Sequence, residues 1–115
     1  MKYKISELEG KLLDTAVATA LGYQTIADIP IDVTGMEYNP CGNLPLPWRP
    51  SGIWDQGGPV IERESIDLRR YNEGTWMAEV SRPCKPGCGL QSGHTPLVAA
   101  MRAFVFARYG EAVEL

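Results

Sequence analysis

The stretch IDLRRYNEGTWMAEV, residues 66–80, decides the fold class. Ile66, Leu68 and Tyr71, then Trp76, Ala78 and Val80, form two alternating apolar runs, and Asn72-Glu73-Gly74 between them carries the turn chemistry of a hairpin. Two antiparallel strands are predicted, at about 66–71 and 75–81. Downstream, residues 82–94 are rich in Pro, Gly and Cys and read as a loop. Thr95 then supplies an N-cap oxygen and Pro96 a pre-set first helical position, which predicts a helix running to Gly110.

Upstream of the hairpin the text is less regular. Pro59 followed by Glu62 and Glu64 predicts a short helix at about 59–65, with the Gly57 and Gly58 amides facing outward at its start. Before it, residues 34–58 hold Gly35, Pro40, Gly42, Pro45, Pro47 and Pro50 and read as one long loop, a length that tends to be functional. Ser6 and Glu9 form a capping-box pattern ahead of a predicted helix over about 8–21. Leu8, Leu12, Leu13, Ala16, Val17 and Ala20 are assigned to its core side, Lys11, Asp14 and Thr15 to its water side, and Gly22 to a left-handed stop. Alternation at Met1–Ile5 and at Ile29, Ile31 and Val33 offers a further strand. The expected architecture is a single α+β domain over residues 1–115: a small antiparallel sheet packed with an N-terminal and a C-terminal helix.

On the C-terminal helix Leu97, Val98, Met101, Phe104 and Val105 make the core stripe, while Ala99, Ala103 and Phe106 lie on the far side. A helix apolar around most of its circumference predicts burial on more than one side, and hence a homo-oligomer formed through this helix.

Composition narrows the function classes. The 115 residues are 44% hydrophobic and 22% charged, with no apolar run long enough to cross a bilayer and no secretory leader at the N-terminus, so a cytoplasmic protein without a membrane partner is expected. The net charge of −3 has the wrong sign for a chain that coats nucleic-acid phosphates. Three cysteines exclude a complete disulfide framework.

The most informative cluster is Trp48, Arg49, Ser51, Trp54, Gln56, Gly57 and Gly58, with Trp76 as a further aromatic. Indoles offer stacking faces, Arg49 a fork for phosphate or carboxylate, and a helix N-terminus amides for an anion. That combination suits a nucleotide-like ligand, with Arg63, Arg69, Arg82 or Arg102 as further cations. The simpler alternative makes the tryptophans core residues and Gly57-Gly58-Pro59 a tight turn. A phosphate-loop motif is absent.

Cys84, Cys88, His94 and the distant Cys41 include a zinc-compatible Cys spacing, but a lone remote cysteine and a single histidine give no repeated half-site, so reduced thiols are the simpler reading and no metal or cofactor is assigned. No Ser/His/Asp or Cys/His set is evident, and Glu62 and Glu64 are explained by a helix dipole, so no enzyme is expected.

Three blocks, SELEGKLLDTAVATALGY (6–23), WRPSGIWDQGGPVIERESI (48–66) and TPLVAAMRAFVFARYGEAVE (95–114), with Trp76 between the last two, carry a resemblance. The chain resembles the NinX-type family of small lambdoid phage proteins. The resemblance implies an accessory role in the cytoplasm of an infected bacterial host and implies no reaction; the cysteine-bearing loop from Cys84 to Gly93 is not part of the resemblance. By analogy with phage proteins that sequester nucleotide signals of host defence, the expected function is non-catalytic binding of a small anionic, nucleotide-derived molecule. The alternative is an adaptor that binds a host or phage protein through residues 38–50 and the last helix.

Overall fold

Residues 2–22, 49–80 and 90–115 are described in a computed structural model of the chain. The helix predicted after Thr95 forms as α3 (Pro96–Tyr109). Thr95 is extended, and its hydroxyl accepts the Val98 amide at 3.1 Å, satisfying one of the unpaired N–H groups of the first turn. Gly110, at φ 85°, ends the helix with its amide on the Phe106 carbonyl at 2.8 Å.

Every face of α3 except a narrow strip meets the rest of the chain. Leu97, Val98, Ala99, Ala100, Met101, Ala103, Phe104 and Val105 are all buried. Around it lie α1 (Gly10–Leu21), α2 (Trp54–Glu64), a 3-10 turn (Ile5–Glu7) and the strands β1 (Lys2–Lys4), β2 (Ile66–Asn72), β3 (Thr75–Val80), β4 (Gln91–Gly93) and β5 (Ala112–Glu114). The strands of the β2-β3-β4 sheet, α1, α2, the 3-10 turn and β5 all touch α3. Of the far-side residues, Ala99 and Ala103 are both 0% exposed, buried by the chain's own elements, while Phe106 is half-buried. The covering elements come from distant parts of the sequence, which a wheel drawn for one helix cannot include.

The hairpin forms as predicted, with its turn one residue tighter. Asn72 pairs with Thr75, leaving Glu73 and Gly74 as the two-residue loop, and Gly74 takes φ 87°. Register runs from Ile66↔Val80 to Arg70↔Trp76, with a shift between Arg70 and Asn72. Two elements were not anticipated. The segment read as a loop over 82–94 ends in β4, which pairs antiparallel with β3 (Trp76↔Gly93, Met77↔Ser92, Ala78↔Gln91). The N-terminal strand forms, but its partner is β5, in a separate two-stranded ribbon. Strands of three residues are too short to display alternation. The strand expected at 29–33 lies outside the described residues, as does most of the loop expected from 34.

In α1 the stripe facing α3 is Leu13, Ala16, Val17 and Ala20. Leu12, assigned to the core, is 42% exposed, and Asp14, assigned to water, is 3% exposed. The predicted capping box is not used: Ser6 sits in the 3-10 turn, and α1 starts at Gly10 after an extended Glu9 that makes no side-chain cap bond. Gly22 supplies the left-handed stop at φ 93°, with its amide on Ala18 and Thr19 carbonyls.

Arg102 ties these layers together. Its Nε donates to the Leu8 carbonyl at 2.7 Å and its Nη1 to the Ser92 carbonyl at 2.9 Å, bracing the N-terminal turn against β4. Burial lowers its pKa from the ordinary arginine value, against an opposing pull from Glu9. Gly93 lets β4 approach equally closely: a Cβ there would stand 2.7 Å from the Ala99 amide nitrogen and 2.8 Å from Val98 Cγ1. Gly93→Ala is therefore expected to destabilise by about 1–3 kcal/mol through overpacking. Urea unfolding checks this, and an unchanged midpoint would show that α3 and β4 separate at little cost.

Candidate functional site

The block from Arg49 to Gly58 is built around two buried acceptors. The turn closes on the Arg49 carbonyl, which accepts the Gly52 amide at 2.9 Å and the Ile53 amide at 2.8 Å. Pro50 is fully buried within it, so the amides on either side need partners inside the protein. Gln56, 0% exposed, supplies one: its Oε1 accepts the Arg49 amide at 2.5 Å. Asp14 supplies the other, with Oδ1 2.9 Å from the Ser51 amide and a further bond from the Ser51 hydroxyl. Both bonds are part-buried, and an amide left unsatisfied in full burial costs about 1–3 kcal/mol. The two side chains thus latch the turn to α1 and to α2.

The next contact fixes α2 beneath the turn. A Cβ on Gly57 would overlap the Pro50 carbonyl oxygen and stand 2.6 Å from Leu97 Cδ2, whereas a Cβ on Gly58 would meet nothing within 4 Å. The adjacent glycines therefore differ in kind: position 57 is a close approach between α2, the turn and α3.

The start of α2 corrects the reading of this helix. It begins at Trp54, five residues before the predicted start, with Ile53 as an N-cap that makes no side-chain bond, and Pro59 lies inside it. The Gly57 amide is consumed by the Ile53 carbonyl at 2.9 Å, so Gly57 and Gly58 are second-turn residues, and the unpaired amides of the helix start belong to Trp54 and Asp55. Pro59 is a first-turn signal, but here it only removes one donor from the helix interior.

The structure thus divides the nominated residues. Arg49, Ser51, Gln56 and Gly57 are brought together by the latch; Trp54 and Gly58 share the helix it holds. Trp54 is 55% exposed. Arg49 is exposed, its guanidinium lying over Gly52, where Nη2 would be 3.2 Å from a Cβ. Trp76 is half-buried on β3 and packs against the core. Of the further cations, Arg102 braces backbone, Arg63 pairs with the neighbouring Glu64 at 3.0 Å, and Arg69 lies exposed on β2. His94 is exposed just before the Thr95 cap. Trp48, Cys41, Arg82, Cys84 and Cys88 lie outside the described residues, among which no group of three or more His, Cys, Asp or Glu could hold a metal.

Sequence reading missed Asp14, Pro50 and Leu97. Asp14 carried a weak signal as an acid on a small-residue helix, but its partner is 37 positions away. Burial raises the Asp14 carboxyl above its ordinary value, against the lowering effects of the Ser51 bonds and of Arg49. Elsewhere, a depression of about 340 Å³ is lined by Glu64, Val80, Phe104, Ala107 and Arg108, and another of about 410 Å³ by Lys4, Ser6, Gln91, Phe106, Glu111 and Ala112. Neither is lined by the latch.

The family model described as Bacteriophage P22, NinX matches residues 4–108. The chain belongs to the NinX family. The match takes in both latch residues, Asp14 and Gln56, and runs through the cysteine-bearing segment, while β5 lies beyond it. None of the curated proteins compared matches the chain. NinX membership establishes a phage protein, and no helix among its described residues is long and apolar enough to cross a membrane.

Two predictions follow the geometry of this NinX chain. Gly57→Ala should lose about 1–3 kcal/mol by overpacking, while Gly58→Ala should be neutral or gain up to about 1 kcal/mol from helix propensity; equal effects on thermal unfolding would count against the close approach. Asp14, with a raised pKa in the folded state, contributes stability below its ordinary value of 3.8 that is lost as pH rises through its folded value. Asp14→Asn keeps an acceptor for Ser51, so the variant should gain on the parent as pH rises across that window and then hold a constant difference. A flat difference in denaturant titrations over the same range would show that the carboxyl is not desolvated.

Proposed function

We propose that this NinX protein is a non-catalytic binder of a small anionic, nucleotide-derived ligand, acting in the cytoplasm of the infected host to sequester a signal made by anti-phage defences. The observation that carries the reading is Trp54, an indole 55% exposed on a helix otherwise anchored by buried Gln56, Gly57 and Val60. Burying a large apolar side chain is worth about 1.5–3 kcal/mol, and here that gain is forgone beside a latch that fixes the backbone on the N-terminal side of the indole.

Within the block the roles separate. Ser51, Gln56 and Gly57 hold the segment in place. Trp54 supplies a stacking face and Arg49 a guanidinium for phosphate, with Trp48 next to Arg49 in sequence. Asp55 shares the first turn of α2 and offsets its attraction for anions, which leaves the Arg49 guanidinium as the main cationic partner for an anion.

Calorimetry with cyclic dinucleotides and cyclic ADP-ribose isomers tests it. A saturable signal is expected, weakened about tenfold or more by Trp54→Ala, the loss of one base–aromatic stack, and reduced by Arg49→Ala. The same exposed indole also favours a second reading, an adaptor with Trp54 as anchor in a protein interface. Flat calorimetry, together with one stoichiometric protein partner recovered from infected cells and lost in Trp54→Ala, would replace the ligand reading with the adaptor.

A further inference from the structure

The depression of about 410 Å³ is assembled from distant parts of the chain. Lys4 and Ser6 come to it from β1 and the 3-10 turn, Gln91 from the start of β4, Phe106 from α3, and Glu111 and Ala112 from the entry to β5. Its volume falls in the range of small-molecule pockets, about 300–1,000 Å³. Phe106 is the far-side residue of α3 that the chain's own elements leave half-buried, and it gives the depression an aromatic wall.

The two-stranded ribbon sets two opposite charges side by side at this wall. Lys4 stands opposite Ala112 in the β1-β5 register, and one step along, the Ile5 amide donates to the Glu111 carbonyl at 2.9 Å. Lys4 and Glu111 are thus neighbours across the ribbon, both exposed and both lining the depression. Among the described residues no ion pair joins the two.

This lining selects by charge. An anion drawn to Lys4 also meets Glu111, and a cation drawn to Glu111 also meets Lys4, so for either one attraction is offset by repulsion. A molecule that carries both charges close together satisfies both side chains. Ser6 and Gln91 add neutral donors and acceptors, and Phe106 with Ala112 accommodates an apolar part. An α-amino acid with an apolar side chain has that arrangement, with ammonium, carboxylate and hydrocarbon all attached to one carbon. The anionic ligand assigned to Arg49 lacks the ammonium and is disfavoured here.

We propose that this depression binds a small zwitterion of the α-amino acid class, its carboxylate on Lys4, its ammonium on Glu111 and its apolar side chain against Phe106. The site shares no residue with the latch or with Trp54, so it stands independently of the ligand reading there. NMR titration of the isotope-labelled full chain tests it with three probes: L-phenylalanine, phenethylamine, which lacks the carboxylate, and phenylpropanoate, which lacks the ammonium. L-phenylalanine should give saturable shifts centred on Phe106, Gln91 and Ala112, and the two singly charged probes should bind about tenfold or more weakly. Lys4→Met should weaken L-phenylalanine by a similar factor and leave phenethylamine no weaker. Glu111→Gln should weaken L-phenylalanine likewise and leave phenylpropanoate no weaker. Both positions are exposed, so circular dichroism should match the parent in each variant. Shifts that fail to saturate or that centre elsewhere, equal affinity for all three probes, or charge variants that leave the order of affinities unchanged would each overturn the assignment.

Discussion

An α-helix that carries alanine, valine, methionine and phenylalanine on nearly every face has little side to offer water, and α3 imposes that condition on the rest of the chain. Eight of its residues are buried, and the contacts that bury them come from three helical segments and from both sheets. Small side chains set how close the neighbours come. Ala99 and Ala103 have no bulk to hold β4 or α1 away, and Gly93 and Gly57 remove the remaining obstruction on the facing elements. Tight packing around a thin helix lets a short chain build an interior with few large side chains. It also fixes α2, because Leu97 of α3 forms one wall of the Gly57 contact.

The latch is a second-order consequence of the same enclosure. With α2 against α3 and Pro50 buried within the turn, the amides of Arg49 and Ser51 find acceptors inside the protein. Gln56 and Asp14 are those acceptors, one neutral and one charged. The charged one is the costlier solution, since burial disfavours the carboxylate, and the two Ser51 bonds together with Arg49 only partly offset that. Its effect is to couple α1 to a segment 37 residues away. Trp54 and Arg49 are therefore displayed from a fixed backbone, which lowers the ordering entropy that binding would otherwise cost.

How much of this was legible follows from the range of each interaction. Thr95 and Pro96 announced α3 because capping is settled within a few residues, and the Gly74 turn announced the hairpin for the same reason. Asp14 was misplaced because a helical wheel separates polar from apolar positions but cannot see a distant amide in need of an acceptor. The start of α2 was missed because Ile53 offers no cap oxygen, while Pro59 gave a local signal that the tertiary contact at Gly57 overrode. Within WRPSGIWDQGG, sequence reading grouped residues by their neighbourhood in the chain and the binding groups they offer. It could not separate Gln56, wholly buried, from Trp54, mostly exposed, since that division depends on where the helix begins. With Trp54 as the first helical residue, the buried positions Gln56, Gly57 and Val60 form one stripe and Trp54 falls about a third of a turn from its centre.

The distribution of arginines gives the last step. Of those described, Arg102 is committed to two carbonyls, Arg108 lies over the Phe104 ring at 5.7 Å, and Arg63 is held by Glu64. Arg49 beside the latch, and Arg69 and Arg70 along β2, are the exposed guanidinium groups outside these contacts. They occur in two separate places on a chain of net charge −3, which is a poor design for following a phosphate backbone whose attraction comes from many evenly spaced cations. A single guanidinium in the same block as an exposed indole is instead suited to one compact anion.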